Sequence, residues 1–88
     1  MSNVQIPIMQ QADGSLIPNP MGQGIATIIY NTDALGVKTA IINFAGHNQA
    51  LVTFDDSGRQ VVSYTPFNQL MTPSIENIIR HITTNQLH

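Results

Sequence analysis

The sequence predicts a small α+β domain, built from an N-terminal hairpin, a four-stranded antiparallel meander and one C-terminal amphipathic helix packed on the sheet. Two observations support this prediction. Four runs rich in β-branched and aromatic residues are separated by short turn-like segments, which favours antiparallel pairing over parallel crossovers. After Pro66 the apolar residues change to a helical spacing, so a helix should follow the sheet. We expect residues 1–88 to form a single domain, because this length leaves no room for a second core.

Residues 1–24 predict a hairpin and an irregular connection. Apolar runs at 4–9 and 16–17 flank Ala12-Asp13-Gly14-Ser15, and Asp-Gly between such runs favours a tight turn. Pro7 has no N–H to donate to a ladder, so its strand is expected at the edge of a sheet. Two prolines and two glycines within residues 18–24 predict the connection.

Residues 25–65 predict the meander, and residues 72–83 predict the helix. Thr72 is expected to cap the helix and Pro73 to occupy its first turn. The isoleucines at the helical spacing i, i+3, i+4 and i+7 should form the buried face, and they are Ile75, Ile78, Ile79 and Ile82. The four predicted strands are 25–30, 37–44, 50–54 and 60–65, with turns at 31–36, 45–49 and 55–58.

The predicted central strands carry apolar residues on both faces. A helix of about ten residues is roughly 15 Å long and covers only part of one face of a four-stranded sheet. The other face should therefore be covered by the N-terminal hairpin or by a second copy or partner. The small core and weak net charge favour a homodimer or higher homo-oligomer, since little repulsion opposes association.

Charged residues form only 9% of the chain, and the formal net charge is −2. Asn, Gln, Thr and Ser provide the polar surface instead. With Lys38, Arg59 and Arg80 as the fixed cations, the chain lacks the cationic cluster that binds nucleic acid or anionic lipid. The sequence shows no signal-peptide pattern and no apolar run long enough to cross a membrane, so we expect a cytoplasmic protein, in a host cell or virion if viral.

No segment carries a specific catalytic or metal-binding motif, and we expect a non-enzyme without a cofactor. Asp56-Ser57-Gly58 after an apolar strand has the Asp-Ser/Thr-Gly form seen in aspartic proteases, but the flanking Asp55 and Arg59 favour a polar hairpin turn. An aspartic-type hydrolase is therefore only a second alternative. Met21-Gly22-Gln23-Gly24 precedes a strand and not a helix, which favours a bend or a close backbone approach over a phosphate loop. The histidines, at 47, 81 and 88, are expected at the surface.

The leading hypothesis is a non-catalytic protein–protein interaction module. The order of elements resembles that of many small α+β proteins, including short phage-encoded inhibitors and virion accessory proteins. Aromatic and methionine side chains are enriched at interfaces, so the candidate contacts are Tyr30, Phe67 and Met71. The alternative is an oligomer that binds or sequesters a small molecule between protomers, with candidate contacts at Gly22, Gly24, His47 and Asn48.

Overall fold

The structure is a computed structural model that describes residues 2–86. Its main element is one six-stranded antiparallel sheet with strand order β2-β1-β3-β4-β5-β6. The strands are β1 (Ser2–Gln10), β2 (Leu16–Pro18), β3 (Gly24–Thr32), β4 (Lys38–Phe44), β5 (His47–Phe54) and β6 (Val61–Pro66). A 3₁₀ turn (Gln69–Met71) leads into the helix α1 (Thr72–His81), which ends in a π turn (Ile82–Gln86).

The prediction of an α+β domain with an antiparallel sheet and a C-terminal helix is confirmed, but the predicted division into a hairpin and a four-stranded meander is not, since all six strands form one sheet. The hairpin forms, with Gln10 paired to Leu16. It does not stand apart from the sheet, because β1 also pairs with β3 along seven residue pairs, from Ser2↔Tyr30 to Ile8↔Gly24. The hairpin therefore extends the sheet sideways and does not cross its face.

Pro7 lies in an interior strand and not in an edge strand, which corrects the prediction. Its carbonyl accepts a hydrogen bond from the backbone N–H of Asn19 over 2.9 Å, so its backbone polar groups face the β2 side. On the β3 side, where Pro7 lies opposite Ile25, no N–H is required. The proline therefore costs the β1–β3 ladder nothing.

The buried core lies between the sheet and α1. The predicted helical face is confirmed for three isoleucines: Ile75, Ile78 and Ile82 are inaccessible to solvent, and Ile79 packs against the core while partly exposed. From the sheet the core receives alternate side chains, namely Ile6, Ile8, Ala26, Ile28, Ala40, Ile42, Phe44, Ala50, Val52 and Phe54. β1, β3 and β4 thus present their even-numbered residues to the helix, and β5 does so beyond the bulge opposite Ile42 and Asn43.

Thr72 does not cap the helix. The N-cap position is Met71, which makes no side-chain cap bond, and the Thr72 hydroxyl is buried without a partner among the described residues. The nearest cap is one turn earlier, where Asn68 Oδ1 accepts from Leu70 N and closes the 3₁₀ turn. Pro73 lies in the first helical turn, as predicted.

The helix is hydrogen-bonded to both edge strands of the sheet. Ser74 and Asn77 bond to the backbone of Leu16 in β2, and Tyr64 in β6 donates to Glu76 Oε2 over 2.7 Å, which raises the pKa of the Tyr64 hydroxyl. A flat sheet of this size would separate β2 from β6 by about 24 Å, roughly twice the width of a helix. One helical turn reaches both edges because the sheet curls around α1. The helix therefore lies in the concave side of the sheet.

Candidate functional site

The Asp55–Gly58 segment is a closed hairpin turn. Asp55 N–H donates to Gln60 O and Gly58 N–H donates to Asp55 O, each over 2.9 Å. The Asp55 carboxylate accepts from the Ser57 hydroxyl over 2.6 Å, and this bond lowers the pKa of Asp55. Gly58 has φ +74°, the positive value expected for the last position of this turn. The local hydrogen bonds explain why these residue types occur here.

The four residues that the sequence predicted as ligand contacts lie near the same end of the sheet but line no common cavity. Gly22 and Gly24 border a shallow cleft of about 360 Å³ between β1 and the start of β3, and neither His47 nor Asn48 belongs to it. Asn48 Oδ1 instead accepts from Asn43 Nδ2 across the β4–β5 hairpin, over 2.9 Å. Both His47 and Asn48 are in strand β5, because the turn is shorter than predicted and consists of Ala45 and Gly46 alone.

The predicted close approach at Gly22 is confirmed. A Cβ atom at this position would lie 2.2 Å from the carbonyl oxygen of Ile8, which is backbone and cannot move aside. Gly22 N–H also donates to Asn19 O over 2.9 Å. Packing of the connection against β1 is therefore sufficient to require glycine.

The three candidate interface residues lie in different surroundings. Phe67 is 54% exposed just after β6, and Met71 is partly buried against the core. Tyr30 also packs against the core, and its ring centroid lies 6.1 Å from that of Phe54. Its hydroxyl is buried without a partner among the described residues, and burial raises its pKa. These residues do not form one patch.

The face of the sheet opposite α1, here called the open face, is formed by the odd-numbered residues of β1, β3 and β4 and their cross-strand partners. Its centre is an apolar row, since Ile29 pairs with Ile41 and Ile41 pairs with Leu51. Asn3 in β1 and Thr65 in β6 continue the row on either side. The three aliphatic side chains are partly exposed, and none is covered by the helix. Two-sided strands are thus present, as the sequence indicated.

Within residues 2–86, the open face carries no charged side chain. Rows of neutral polar side chains border the apolar row, with Asn31, Thr39, Thr53 and Ser63 on one side and Gln5, Thr27, Asn43 and Asn48 on the other. The eight charged residues of the chain all lie in turns, on α1, or, for Lys38, on the concave side. They are Asp13, Asp33, Lys38, Asp55, Asp56, Arg59, Glu76 and Arg80. This segregation is the feature that sequence analysis missed, because it depends on which residues share a face.

Between residues 2 and 86, no three His, Asp or Glu side chains are grouped so that they could hold a metal ion. His88 lies outside this range. No helix in the described range has the length and apolar character required to span a bilayer. Comparison with known proteins found no family model that matches this chain, and no match among curated proteins or solved structures.

Proposed function

We propose that this protein is a non-catalytic interaction module that pairs with a second copy of itself through the open face. The observation that carries the proposal is the in-register row Ile29, Ile41 and Leu51 on a face without charges. Depletion of charge is typical of the centre of protein interfaces. A charged partner would find no complementary group on this face.

A second copy fits the open face for two reasons. The face is neutral, so two copies meet without like charges opposing each other. Apart from the short edge strand β2, the sheet has the order β1-β3-β4-β5-β6, so β4 is its middle strand. Ile41 lies in β4 and is the centre of the apolar row. A two-fold axis passing beside Ile41 would place the two rows in contact, as in aligned sheet packing.

The expected interface is small. Five strands are separated by four gaps of about 4.8 Å, and about seven residues per strand rise about 3.3 Å each. The face therefore measures roughly 450 Å², or about 900 Å² for the two copies together. This is close to the lower bound of about 1,000 Å² for specific interfaces. We therefore expect a reversible dimer that dissociates on dilution.

The test is sedimentation equilibrium at about 10 to 500 μM, a range chosen for a weak dimer. The wild type should show a rising mass with concentration, and Ile41→Lys should remain a monomer with an unchanged circular dichroism spectrum. Leu35→Lys is the matched control, because Leu35 is 90% exposed in the β3–β4 turn and lies off the open face. A wild type that stays monomeric throughout, or a dimer lost equally in both variants, would overturn the proposal.

An inhibitor or virion accessory role and a cytoplasmic or virion location remain predictions from the sequence. So does the alternative of a ligand held between protomers.

A further inference from the structure

The concave side of the sheet is open at the end that lies opposite the contact between α1 and Leu16. The β3–β4 and β5–β6 turns border this end. A cavity of about 280 Å³ lies there, and Tyr30 and Phe54 contribute their aromatic rings to its lining. The rings meet at an angle of 32° across the small side chain of Ala40, which pairs with Tyr30. The two rings thus form one wall of the cavity.

Among residues 2–86, Lys38 provides the only charged side chain in the lining of this cavity. Its ammonium group donates one hydrogen bond, to the backbone carbonyl of Asp56 over 2.8 Å, and an ammonium carries three donors. The remaining polar lining is neutral and includes Ser2, Thr32 and Thr39. No acidic side chain of the described residues lines the cavity.

The acidic residues nearby are in the two turns that border the cavity. Asp33 Oδ1 accepts from the N–H groups of Leu35 and Val37, and Asp55 Oδ1 accepts from Ser57, so both carboxylates bond within their own turns. Asp56 holds Lys38 through its backbone oxygen. The lysine therefore has donors available for an anion from solution.

From this geometry we propose that the cavity binds a small carboxylate with a flat apolar body. The body lies against Tyr30 and Phe54, and the carboxylate accepts from Lys38 Nζ. The volume is close to the lower limit of about 300 Å³ for ligand pockets, which restricts the ligand to a single-ring compound.

This site and the apolar row of the proposed dimer share no residue. Lys38, Tyr30 and Phe54 lie on the concave side. The lining also includes Asn31 and Thr39 from the border of the open face, but none of Ile29, Ile41 and Leu51. Ile41→Lys should therefore abolish pairing and leave ligand binding unchanged, so failure of one proposal is distinguishable from failure of the other.

The experiment is titration of ¹⁵N-labelled protein with benzoate, and with benzamide as its neutral isostere. Benzoate should bind with a dissociation constant of about 1 mM and shift the amide signals of Thr32, Thr39 and Gly58. Benzamide should bind at least about tenfold more weakly, because it lacks the charge-assisted hydrogen bond.

Lys38→Met keeps the length of the side chain and removes the charge, so it should abolish the preference for benzoate. Arg80→Met, on α1, is the matched control and should retain it. The proposal is overturned if benzoate causes no shifts, if the shifts map to the cleft at Gly22–Gly24, or if Lys38→Met keeps the wild-type preference.

Discussion

Ser74 Oγ, on the helix, accepts a hydrogen bond from the backbone N–H of Leu16 over 2.9 Å, and Leu16 is the first residue of edge strand β2. Three residues later, Asn77 Nδ2 donates to the carbonyl of the same Leu16 over 3.0 Å. One helical face thus satisfies both outward-facing backbone groups of an edge residue. The edge is thereby closed to pairing with another chain.

Removal of the Ser74 hydroxyl should show how much its hydrogen bond contributes to the free energy of unfolding. Ser74 is 3% exposed, so Ser74→Ala leaves the Leu16 N–H without an acceptor in a part-buried position. We expect a loss of about 1–3 kcal/mol in the free energy of unfolding, measured by urea titration. Ser63→Ala, at an exposed position of β6, is the control and should change stability by less than about 0.5 kcal/mol. Equal effects of the two variants would contradict the assignment.

The helix isoleucines should differ in their contribution to stability. Ile78 is inaccessible to solvent, and Ile78→Ala should cost about 2–5 kcal/mol because it leaves a cavity in the core. Ile79 is only partly buried, so Ile79→Ala should cost about 1–2 kcal/mol. Denaturant titration of both variants gives the comparison. A larger loss at Ile79 would contradict the burial of Ile78 as the main contact of this helical face.

Two glycines should resist substitution for different physical reasons. Gly58→Ala should cost about 1 kcal/mol, because its φ of +74° is unfavourable for a residue with a Cβ atom. Gly22→Ala should cost more, about 3 kcal/mol, because its Cβ would overlap the backbone oxygen of Ile8. Thermal unfolding monitored by circular dichroism should rank the two variants in this order. The reverse ranking would show that the 18–24 connection accommodates a Cβ atom more easily than the 55–58 turn.

Ala45 is the one residue other than glycine with a positive φ in the described range, at +51°. It precedes Gly46, also at positive φ, in the β4–β5 turn. Ala45→Asn would create the Asn-Gly pair that this turn geometry favours, so we expect a gain of about 1 kcal/mol. Ala12→Asn, in the β1–β2 turn and without a positive φ, is the control and should bring no gain. A gain in both variants would point to an effect on the unfolded chain.

Acid should weaken two turns. Hydrogen bonds from Ser15 lower the pKa of Asp13, and the bond from Ser57 lowers that of Asp55, both from an ordinary value of 3.8. A carboxylate with a lowered pKa in the folded state stabilises the fold above its unfolded pKa and loses this effect as the pH falls through the folded pKa. Urea titrations should therefore show decreasing stability below about pH 4. The double variant Asp13→Asn, Asp55→Asn should have a shallower acid dependence, and an unchanged slope would contradict this origin.

The elements of the fold could largely be predicted from the sequence, and their pairing could not. The hairpin turns and the helix depend on neighbouring residues, so Asp13-Gly14, Asp55–Gly58 and the isoleucine spacing indicated them directly. Pairing of β1 with β3 joins strands separated by the 13 residues 11–23, which include β2, and no local pattern encodes it.

The candidate sites depended still more on tertiary structure. Tyr30 was notable in the sequence as an aromatic residue, but its neighbour Phe54 comes from a strand two positions away in the sheet. The absence of charge on the open face depends on strand register, because register decides on which side of the sheet each side chain lies. Ser74 gave no signal, because a serine in a helix has no distinctive pattern until Leu16 lies beside it.

The closed edge at Leu16 also has a consequence for the order of folding. Its two bonds to the helix join residues 58 and 61 positions apart, whereas β3, β4, β5 and β6 pair through short turns. Closing long loops costs more chain entropy, so we expect the local hairpins to form first and the β2 edge to be covered last. Pulse-labelling hydrogen exchange should then protect the amides of β4 and β5 before that of Leu16. During that interval the unfinished sheet exposes a pairing edge, and a nascent chain is at its greatest risk of joining another.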